Sequence, residues 1–263
     1  MKKIDPDNKF TRMQKDDYNR RATDDFKSSL VGYYKEHNSW KPYDDMMKDF
    51  YCVVDDQKSY LDTKEMLCLD FGCGPGRNIF KYGDAFKRID GVDICKAILD
   101  RGLDMLEGLK YPYEAFLFHC DGVSLSAIQD DEYDVIHSTI TLQHIPVHEI
   151  RLNYFYEFYR VLNEGGWITL QMGYNDTPVE HWSKNQNLRG NLFDYYENAY
   201  HVRETNGRAD VFVSDPNQLE EDLIKVGFKN FEYFITDSPH PETNIHPKQI
   251  YFRAQKIQNK ETS

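Results

Sequence analysis

The chain of 263 residues has few cysteines, no long apolar run and no excess of basic residues. Its cysteines number five and include no C-x-x-C pair, which argues against a disulfide framework and against a zinc knuckle. No apolar stretch approaches the roughly 20 residues that a membrane-spanning helix needs. The first residues lack the apolar centre of a secretory signal peptide.

The net charge of −12 disfavours a nucleic-acid partner, which needs a basic face. We therefore expect a cytoplasmic protein that has neither a membrane nor a nucleic acid as its partner.

Strand-like and helix-like segments alternate along the chain, a pattern typical of a parallel α/β sheet. Several strand-like segments are nearly continuous apolar runs, as strands buried on both faces should be. A chain of this length has room for one domain with a full core.

The most informative segment spans residues 67–78 and reads L-C-L-D-F-G-C-G-P-G-R-N. An apolar strand ends at Asp70, and glycines follow at every second position: Gly72, Gly74 and Gly76. Glycine adopts positive φ readily and lets the backbone approach a ligand closely. The first N–H groups of a following helix favour a negatively charged ligand group. A dinucleotide site would have the spacing G-x-G-x-x-G instead. The segment therefore predicts a strand, a turn that approaches a nucleoside or a phosphate, and the start of a helix.

Further acids follow the next two predicted strands. Asp93 lies about 20 residues after the glycines, where an acid can accept both hydrogen bonds of a ribose diol. Asp121 follows the third strand, and a fourth strand ends near His137. In an open α/β sheet the carboxyl ends of the strands form the ligand crevice.

The motif D-x-G-x-G-x-G resembles the first motif of class I S-adenosylmethionine-dependent methyltransferases. The segments from Met66 to Met172 resemble their counterparts in that family in the same order, and those from Asp215 to Thr236 also fit. The resemblance implies an α/β fold: a Rossmann-like doubly wound, mostly parallel seven-stranded sheet with an N-terminal helical cap and an insertion after the fifth strand. We expect a single methyltransferase domain over residues 1–263. Its parts would be a cap at 1–64, a core at 65–173 and 214–257, and a substrate lid at 174–213.

The resemblance implies that S-adenosyl-L-methionine is the cofactor and S-adenosyl-L-homocysteine the product. The glycine turn would lie under the methionine part, and Asp70 would accept from its amino group. Asp93 would bind the ribose, Asp121 the adenine amino group, and Ile94 and Val123 the adenine ring. The expected cofactor-binding residues are Asp70, Gly72, Gly74, Gly76, Arg77, Asn78, Asp93, Ile94, Asp121, Gly122, Val123, Ser138, Gln143, Arg21 and Tyr18.

An aromatic-then-arginine run at residues 18–22 is similar to the N-terminal signature of some small-molecule methyltransferases. The similarity implies that Arg21 or Arg20 meets the cofactor carboxylate, with Tyr18, Tyr33 or Tyr34 nearby.

The methyl acceptor must be held by the segments that the resemblance does not cover, because the cofactor fills the other side of the crevice. The candidates for hydrogen bonds to the acceptor are Tyr174, Asn175, His181 and Tyr34. Small-ligand pockets combine such aromatic walls with a few fixed polar groups.

Methyl transfer from a sulfonium is an in-line displacement, and a hydroxyl acceptor must also lose its proton. Imidazole is the usual base near neutral pH. His144, just after the fourth strand, is our first candidate for this catalytic role, with His181 and His201 as alternatives. No metal-binding triad is recognisable, so we expect a metal-independent enzyme.

The predicted function is methyl transfer to an oxygen or nitrogen of a small polar metabolite, with a sugar or nucleotide-linked sugar as one class. Two alternatives stay open. An NAD(P)-dependent oxidoreductase shares the fold type and the acid after the second strand. A non-catalytic S-adenosylmethionine-binding module would keep the same glycine turn. We expect a monomer or a homodimer.

Overall fold

The computed structural model describes residues 4–23, 63–175, 193–197, 200–205, 208–238 and 247–257. Residues 24–62 of the expected cap lie outside these ranges. The described helices are α1 (Lys9–Thr23), α2 (Arg77–Tyr82), α3 (Lys96–Gly108), α4 (His148–Val161) and α5 (Pro216–Val226). Two short 3-10 turns cover Thr63–Glu65 and Leu142–His144.

Ten strands of the described chain form one sheet. They are β1 (Leu67–Phe71), β2 (Arg88–Asp93), β3 (Leu117–His119), β4 (Tyr133–Ser138), β5 (Leu162–Tyr174), β6 (Phe193–Glu197), β7 (Tyr200–Thr205), β8 (Arg208–Val213), β9 (Phe228–Asp237) and β10 (Lys248–Lys256).

Seven of these strands make the predicted Rossmann-like core. The order β3-β2-β1-β4-β5 is parallel throughout, and β10 and β9 extend it with antiparallel pairs. The order reverses direction between β1 and β4, the kind of switch point at which open α/β sheets bind ligands. The predicted fold class is therefore confirmed.

The predicted insertion adds three strands to this core. β6, β7 and β8 pair antiparallel to one another, and β8 pairs in parallel with β5 through two residues, Gly173 and Tyr174. The same two residues pair with β10 on the other edge of β5. A strand has only two edges, so β8 lies on the edge that β4 occupies, beyond the point where β4 ends at Ser138. The described strands of the insertion thus continue the sheet past the carboxyl end of β4.

Aromatic side chains of α4 fill the space against the sheet. Tyr154, Phe155 and Phe158 are fully buried. The Phe71 ring at the end of β1 lies 4.7 Å from the Tyr154 ring and 4.9 Å from the Phe158 ring. Edge-to-face and tilted contacts of this kind add about 0.5–1.5 kcal/mol each to the burial of the rings. They fix β1, and with it the glycine turn, against α4.

Candidate active site

A cavity of about 590 Å³ lies at the carboxyl ends of β1, β2 and β4. Its size is that of a small-molecule site. Its lining residues come from the glycine turn, the ends of the strands, the segment after β4 and α1: Phe10, Thr11, Gln14, Tyr18, Phe71, Gly72, Cys73, Gly74, Pro75, Arg77, Asn78, Val92, Asp93, Ile94, Ile98, Cys120, Gly122, Thr139, Ile140, Thr141, His144, Ile145, Pro146, Val147, Ile150 and Tyr154.

The glycine turn needs glycine for two different reasons. Gly72, Gly74 and Gly76 all have positive φ, at +74°, +55° and +91°, a region that side chains disfavour. At Gly72 a Cβ would also lie 2.2 Å from Oγ1 of Thr141, so the turn packs directly against the segment after β4. At Gly74 the nearest atom to a Cβ is 4.0 Å away, so this glycine faces open space in the cavity wall.

A cluster of buried polar side chains lies behind the glycine turn. Nδ2 of Asn78 donates to Oδ1 of Asp70 at 3.2 Å and to Nε2 of His137 at 2.9 Å. Burial lowers the pKa of the His137 imidazole to about 3. The ring is therefore neutral at physiological pH, and its Nε2 serves as an acceptor. The predicted cofactor residue Asn78 reaches the cavity wall, whereas Asp70 lies behind it.

Asp93 occupies the position predicted for a ribose acceptor. It ends β2, lines the cavity, and accepts hydrogen bonds from the backbone N–H of Gly74 at 3.0 Å and of Cys95 at 2.8 Å. Burial raises the pKa of the Asp93 carboxyl above its ordinary value, while these two N–H groups oppose the rise. The carboxylate thus ties the glycine turn to the end of β2 and lies in the cavity wall, where a ligand can reach it.

The segments after β2 and β3 meet in the cavity wall. Gly122 has a φ of +93°, and a Cβ there would lie 2.6 Å from both Ile94 and Thr11 of α1. Asp121 turns its carboxylate to its own loop, accepting from the N–H groups of Val123 and Ser124 at 2.9 and 2.7 Å. Ile94 and Gly122 line the cavity, while Val123 is buried behind it. The adenine-binding roles of Ile94, Asp121 and Val123 stay predictions.

The segment after β4 is held by the sheet. Ile140 has a φ of +57°, which is rare for a β-branched residue, and its N–H donates to Oε1 of Gln171 at 2.6 Å. Gln171 also donates to Oε1 of Gln143 at 3.3 Å. Ser138 donates to the carbonyl of Phe71 at 2.8 Å. Gln143 and Ser138, both predicted cofactor residues, therefore bond to protein groups behind the cavity wall.

His144 lies in the cavity wall at the end of the 3-10 turn. Its Nδ1 is hydrogen-bonded to Oδ1 of Asp210 on β8, and the side chain is 7% exposed. Beside an ionised carboxylate, Nδ1 must carry the ring proton, which leaves the lone pair of a neutral ring on Nε2. An imidazole oriented in this way is equipped to take a proton from a ligand.

Helix α1 forms the opposite wall. Asn8 caps the helix, because its Oδ1 accepts from the N–H groups of Phe10 and Thr11 at 3.1 Å each. Gln14 donates to the carbonyl of His144 and so ties α1 to the 3-10 turn. Tyr18 lines the cavity, as predicted for a cofactor residue. Arg20 is paired with Asp17 at 2.5 Å and is largely exposed. Arg21 lies in α1, but its side chain is not among those that the structure describes.

The predicted acceptor-binding residues are described only in part. Tyr174 and Asn175 are buried at the end of β5, and the N–H of Asn175 donates to the carbonyl of Val213 at 2.9 Å. Neither belongs to the described cavity wall. His181, Tyr33 and Tyr34 lie outside the described residues, as does the side chain of His201.

Sequence reasoning missed several wall residues and the carboxylate that is hydrogen-bonded to His144. Phe10, Thr11 and Gln14 could have been found through the Asn8 cap, which predicts a helix start and so the helical spacing of these three residues. Asp210 carried no comparable signal, because nothing local to it indicates that the start of β8 lies beside the 3-10 turn.

The described residues contain no cluster of three or more His, Cys, Asp or Glu side chains that could hold a metal ion. Within the same ranges, every helix is too short or too polar to cross a bilayer.

Residues 68–166 match the family model described as a methyltransferase domain. None of the curated proteins matches the sequence. Several solved structures are similar. The 1,6-didemethyltoxoflavin-N1-methyltransferase of Burkholderia thailandensis, with bound 1,6-didemethyltoxoflavin and S-adenosylhomocysteine, aligns with a TM-score of 0.65 and 13% identity over 98% of this chain and 93% of its own.

Two further structures show the same fold. PH0226 of Pyrococcus horikoshii OT3 has a TM-score of 0.58 and 17% identity, covering 85% of this chain and 98% of its own. The phosphoethanolamine N-methyltransferase 2 of Haemonchus contortus has a TM-score of 0.56 and 17% identity over 83% of this chain. This chain spans 53% of the Haemonchus protein.

The family match, the strand order and the D-x-G-x-G-x-G turn point to one class, as the sequence predicted. Residues 68–166 therefore carry a methyltransferase domain, and the chain has the fold of S-adenosylmethionine-dependent methyltransferases.

The described residues fit the cofactor. The missing Cβ of Gly74 leaves open space in the wall, where a side chain would occupy room that a ligand needs. Asp93 offers two carboxylate oxygens to hydroxyl donors, and Ile94 and Ile98 offer apolar surface to a flat base. The cavity therefore combines the polar and apolar groups that a nucleoside cofactor requires.

Proposed function

We propose that this methyltransferase moves the methyl group of S-adenosylmethionine to an oxygen or nitrogen of a small molecule, with His144 as the general base. The observation that carries the proposal is the hydrogen bond from Nδ1 of His144 to the buried carboxylate of Asp210, on the wall of the cavity. A base is required when the acceptor group carries a proton at neutral pH, as hydroxyl and protonated amino groups do.

Within the proposal, the cofactor binds over the glycine turn. The site comprises Gly72, Gly74, Arg77, Asn78, Asp93, Ile94, Gly122 and Tyr18, which line the cavity. Asp70, Gly76, Val123, Ser138 and Gln143 shape it from behind. The cofactor supplies the electrophilic methyl group and the leaving group, and Asp93 holds the ribose.

The acceptor is proposed to lie between α1 and the segment after the 3-10 turn. The wall there is largely apolar, with Phe10, Ile145, Pro146, Val147 and Ile150. Such a wall favours a flat, partly apolar acceptor, for example a heterocycle, over a sugar. The methyltransferase from Burkholderia thailandensis is named for 1,6-didemethyltoxoflavin and the one from Haemonchus contortus for phosphoethanolamine. Both are small molecules, which agrees with the size of this cavity.

A cytoplasmic location, a monomer or homodimer, and the absence of a nucleic-acid partner also belong to the proposal. Cys68, Cys73, Cys95 and Cys120 are buried thiols, which agrees with a reducing compartment. The net charge of −12 disfavours binding to a polyanion.

The variant His144→Asn tests the general base. Asparagine keeps an N–H donor near the position of Nδ1, so the Asp210 carboxylate stays paired, but it has no basic nitrogen. We expect turnover to fall about 10²–10⁴-fold, with the affinity for S-adenosylhomocysteine unchanged. Turnover would be followed as S-adenosylhomocysteine and methylated product, by mass spectrometry, over a panel of hydroxylated compounds and nitrogen heterocycles.

The matched control is His148→Asn, because His148 forms a similar buried pair with Asp222, at 2.8 Å, between α4 and α5. It should keep full turnover. If His144→Asn also kept full turnover, the base would have to be His181, His201 or no residue at all.

A further inference from the structure

Asp210 is a buried carboxylate whose position is set by the pairing of β8. Within β8, Asp210 and Phe212 lie on one face, because side chains alternate along a strand. Phe212 pairs in parallel with Gly173 of β5, so Asp210 lies level with Gln171, just past Leu170, which pairs with the last residue of β4. There it contacts the 3-10 turn of residues 142–144. The side chain of Asp210 is only 2% exposed. A carboxylate at this depth requires hydrogen-bond donors, and Nδ1 of His144 supplies one.

We propose that Asp210 is the positioning residue of this enzyme: it fixes His144 in the tautomer with the proton on Nδ1, so that Nε2 can act as the base. This inference rests on the proposed function and adds to it a residue from the insertion. Without an acceptor at Nδ1, the ring is free to take the proton on Nε2 instead. Nε2 could then no longer accept a proton from the substrate.

The acceptor oxygen or nitrogen attacks the methyl carbon, and the carbon–sulfur bond breaks with its electron pair left on sulfur. The proton of the acceptor moves to Nε2 of His144, and the resulting imidazolium is stabilised by the Asp210 carboxylate. The proton then returns to water.

The same arrangement links the base to the fold of the insertion. β8 is joined to β5 through only two paired residues, and it also contacts α1 and the 3-10 turn. Gln14 of α1 holds the backbone carbonyl of His144, while Asp210 holds its ring. The base is therefore complete only when α1 and β8 are both packed against the 3-10 turn.

The tautomer can be read directly by ¹⁵N NMR of protein labelled in its histidine rings. The His144 signals are assigned by their loss in His144→Asn. In the wild type, at a pH about two units above the ordinary histidine pKa of about 6.5, we expect Nδ1 to be protonated and Nε2 to show the shift of a bare ring nitrogen. A wild-type ring protonated on Nε2 would overturn the proposal without any variant of Asp210.

Asp210→Asn is the variant that tests the mechanism. The asparagine amide can donate to Nδ1, which moves the ring proton to Nε2. We expect the two ¹⁵N shifts of His144 to exchange their character and kcat to fall about 10²–10⁴-fold. KM for S-adenosylmethionine and the affinity for S-adenosylhomocysteine should stay at the wild-type values. Unchanged ¹⁵N shifts, or a loss seen only in KM, would refute the positioning role.

Asp222→Asn is the matched control, since Asp222 pairs with His148 as Asp210 pairs with His144. It should change the signals of His148 alone and leave kcat intact. If wild-type protein fails to bind S-adenosylhomocysteine, the proposed function itself is wrong. If binding is normal and the tautomer does not respond to Asp210→Asn, only the inference about Asp210 is wrong.

Discussion

At the scale of single residues, the glycines of the turn combine two requirements that the sequence does not separate. The spacing D-x-G-x-G-x-G predicts positive φ and close approach to a ligand, and the structure has positive φ at Gly72, Gly74 and Gly76. The spacing does not reveal that the missing Cβ of Gly72 makes room for Thr141, whereas the missing Cβ of Gly74 makes room in the cavity. Those neighbours are distant in sequence, so only the fold defines them.

The pair Gly72→Ala and Gly74→Ala separates these requirements. Both alanines must adopt positive φ, which costs about 1–2 kcal/mol. Only the alanine at position 72 meets Thr141, at 2.2 Å from Oγ1. We expect Gly72→Ala to lower the free energy of unfolding well beyond this strain. Gly74→Ala should lose only about the strain energy, but should bind S-adenosylmethionine more weakly.

The two unfolding free energies would be measured by urea titration, and the affinities by calorimetry. Equal losses of stability in the two variants would contradict the structural roles given to Gly72 and Gly74.

The hydrogen-bond partners of polar side chains buried in the core could not be predicted from the sequence either. Asp70 and Asn78 were predicted as cofactor residues because of their place in the motif. The structure adds that Asn78 joins Asp70 to His137, whose pKa burial lowers to about 3. This cluster depends on β4 lying beside β1, a pairing between residues more than 60 positions apart.

At the scale of helices and strands, the order of the core elements and the place of the insertion were predictable, whereas the strands within the insertion were not. The core strands are apolar runs bounded by acids and glycines. Such patterns of neighbouring residues can be recognised in the sequence without knowledge of the fold. The insertion was expected to form a lid because it is rich in aromatic and polar side chains. Its described residues form β6, β7 and β8, which join the sheet through β5, and the role of a lid stays a prediction. That attachment depends on the length of β5, which runs to Tyr174.

Helix α1 provides a test at this scale, because its N-terminal cap lies next to the residues that line the cavity. Asn8→Ala removes the acceptor for the N–H groups of Phe10 and Thr11. Loss of such a cap costs about 0.5–2 kcal/mol. We expect that loss of stability together with weaker binding of S-adenosylhomocysteine, because the first turn of α1 carries Phe10 and Thr11 into the wall.

Asp215→Ala is the matched variant. Asp215 caps α5 by accepting from the N–H of Asn217 at 2.9 Å, and α5 contributes no residue to the described cavity wall. Thermal unfolding should show a similar loss of stability for both variants, while calorimetry should show weaker binding for Asn8→Ala alone. Normal binding by Asn8→Ala would mean that the first turn of α1 is not part of the ligand site.

At the scale of the whole molecule, some residues of the site could be predicted from the sequence, whereas the residues that hold His144 in place could not. The family model covers residues 68–166, which hold the glycine turn, Asp93 and His144. The groups that orient His144 come from outside this range: Gln14 lies 130 positions away and Asp210 lies 66 positions away. Local patterns therefore predict the cofactor residues, whereas the contacts that hold His144 are formed only when the chain has folded.

The most direct test of the central claim is calorimetric titration of the purified protein with S-adenosylmethionine, S-adenosylhomocysteine and NADH. Asp93→Ala and Asp100→Ala would be titrated in parallel. Asp93 lines the cavity, whereas Asp100 lies on the exposed side of α3, paired with Lys96 at 2.6 Å. We predict micromolar binding of the first two ligands and none of NADH. Asp93→Ala should lose this affinity sharply, because the ribose loses its acceptor, and Asp100→Ala should keep it. Binding of NADH alone, or equal affinity in wild type and Asp93→Ala, would contradict the cofactor site described above.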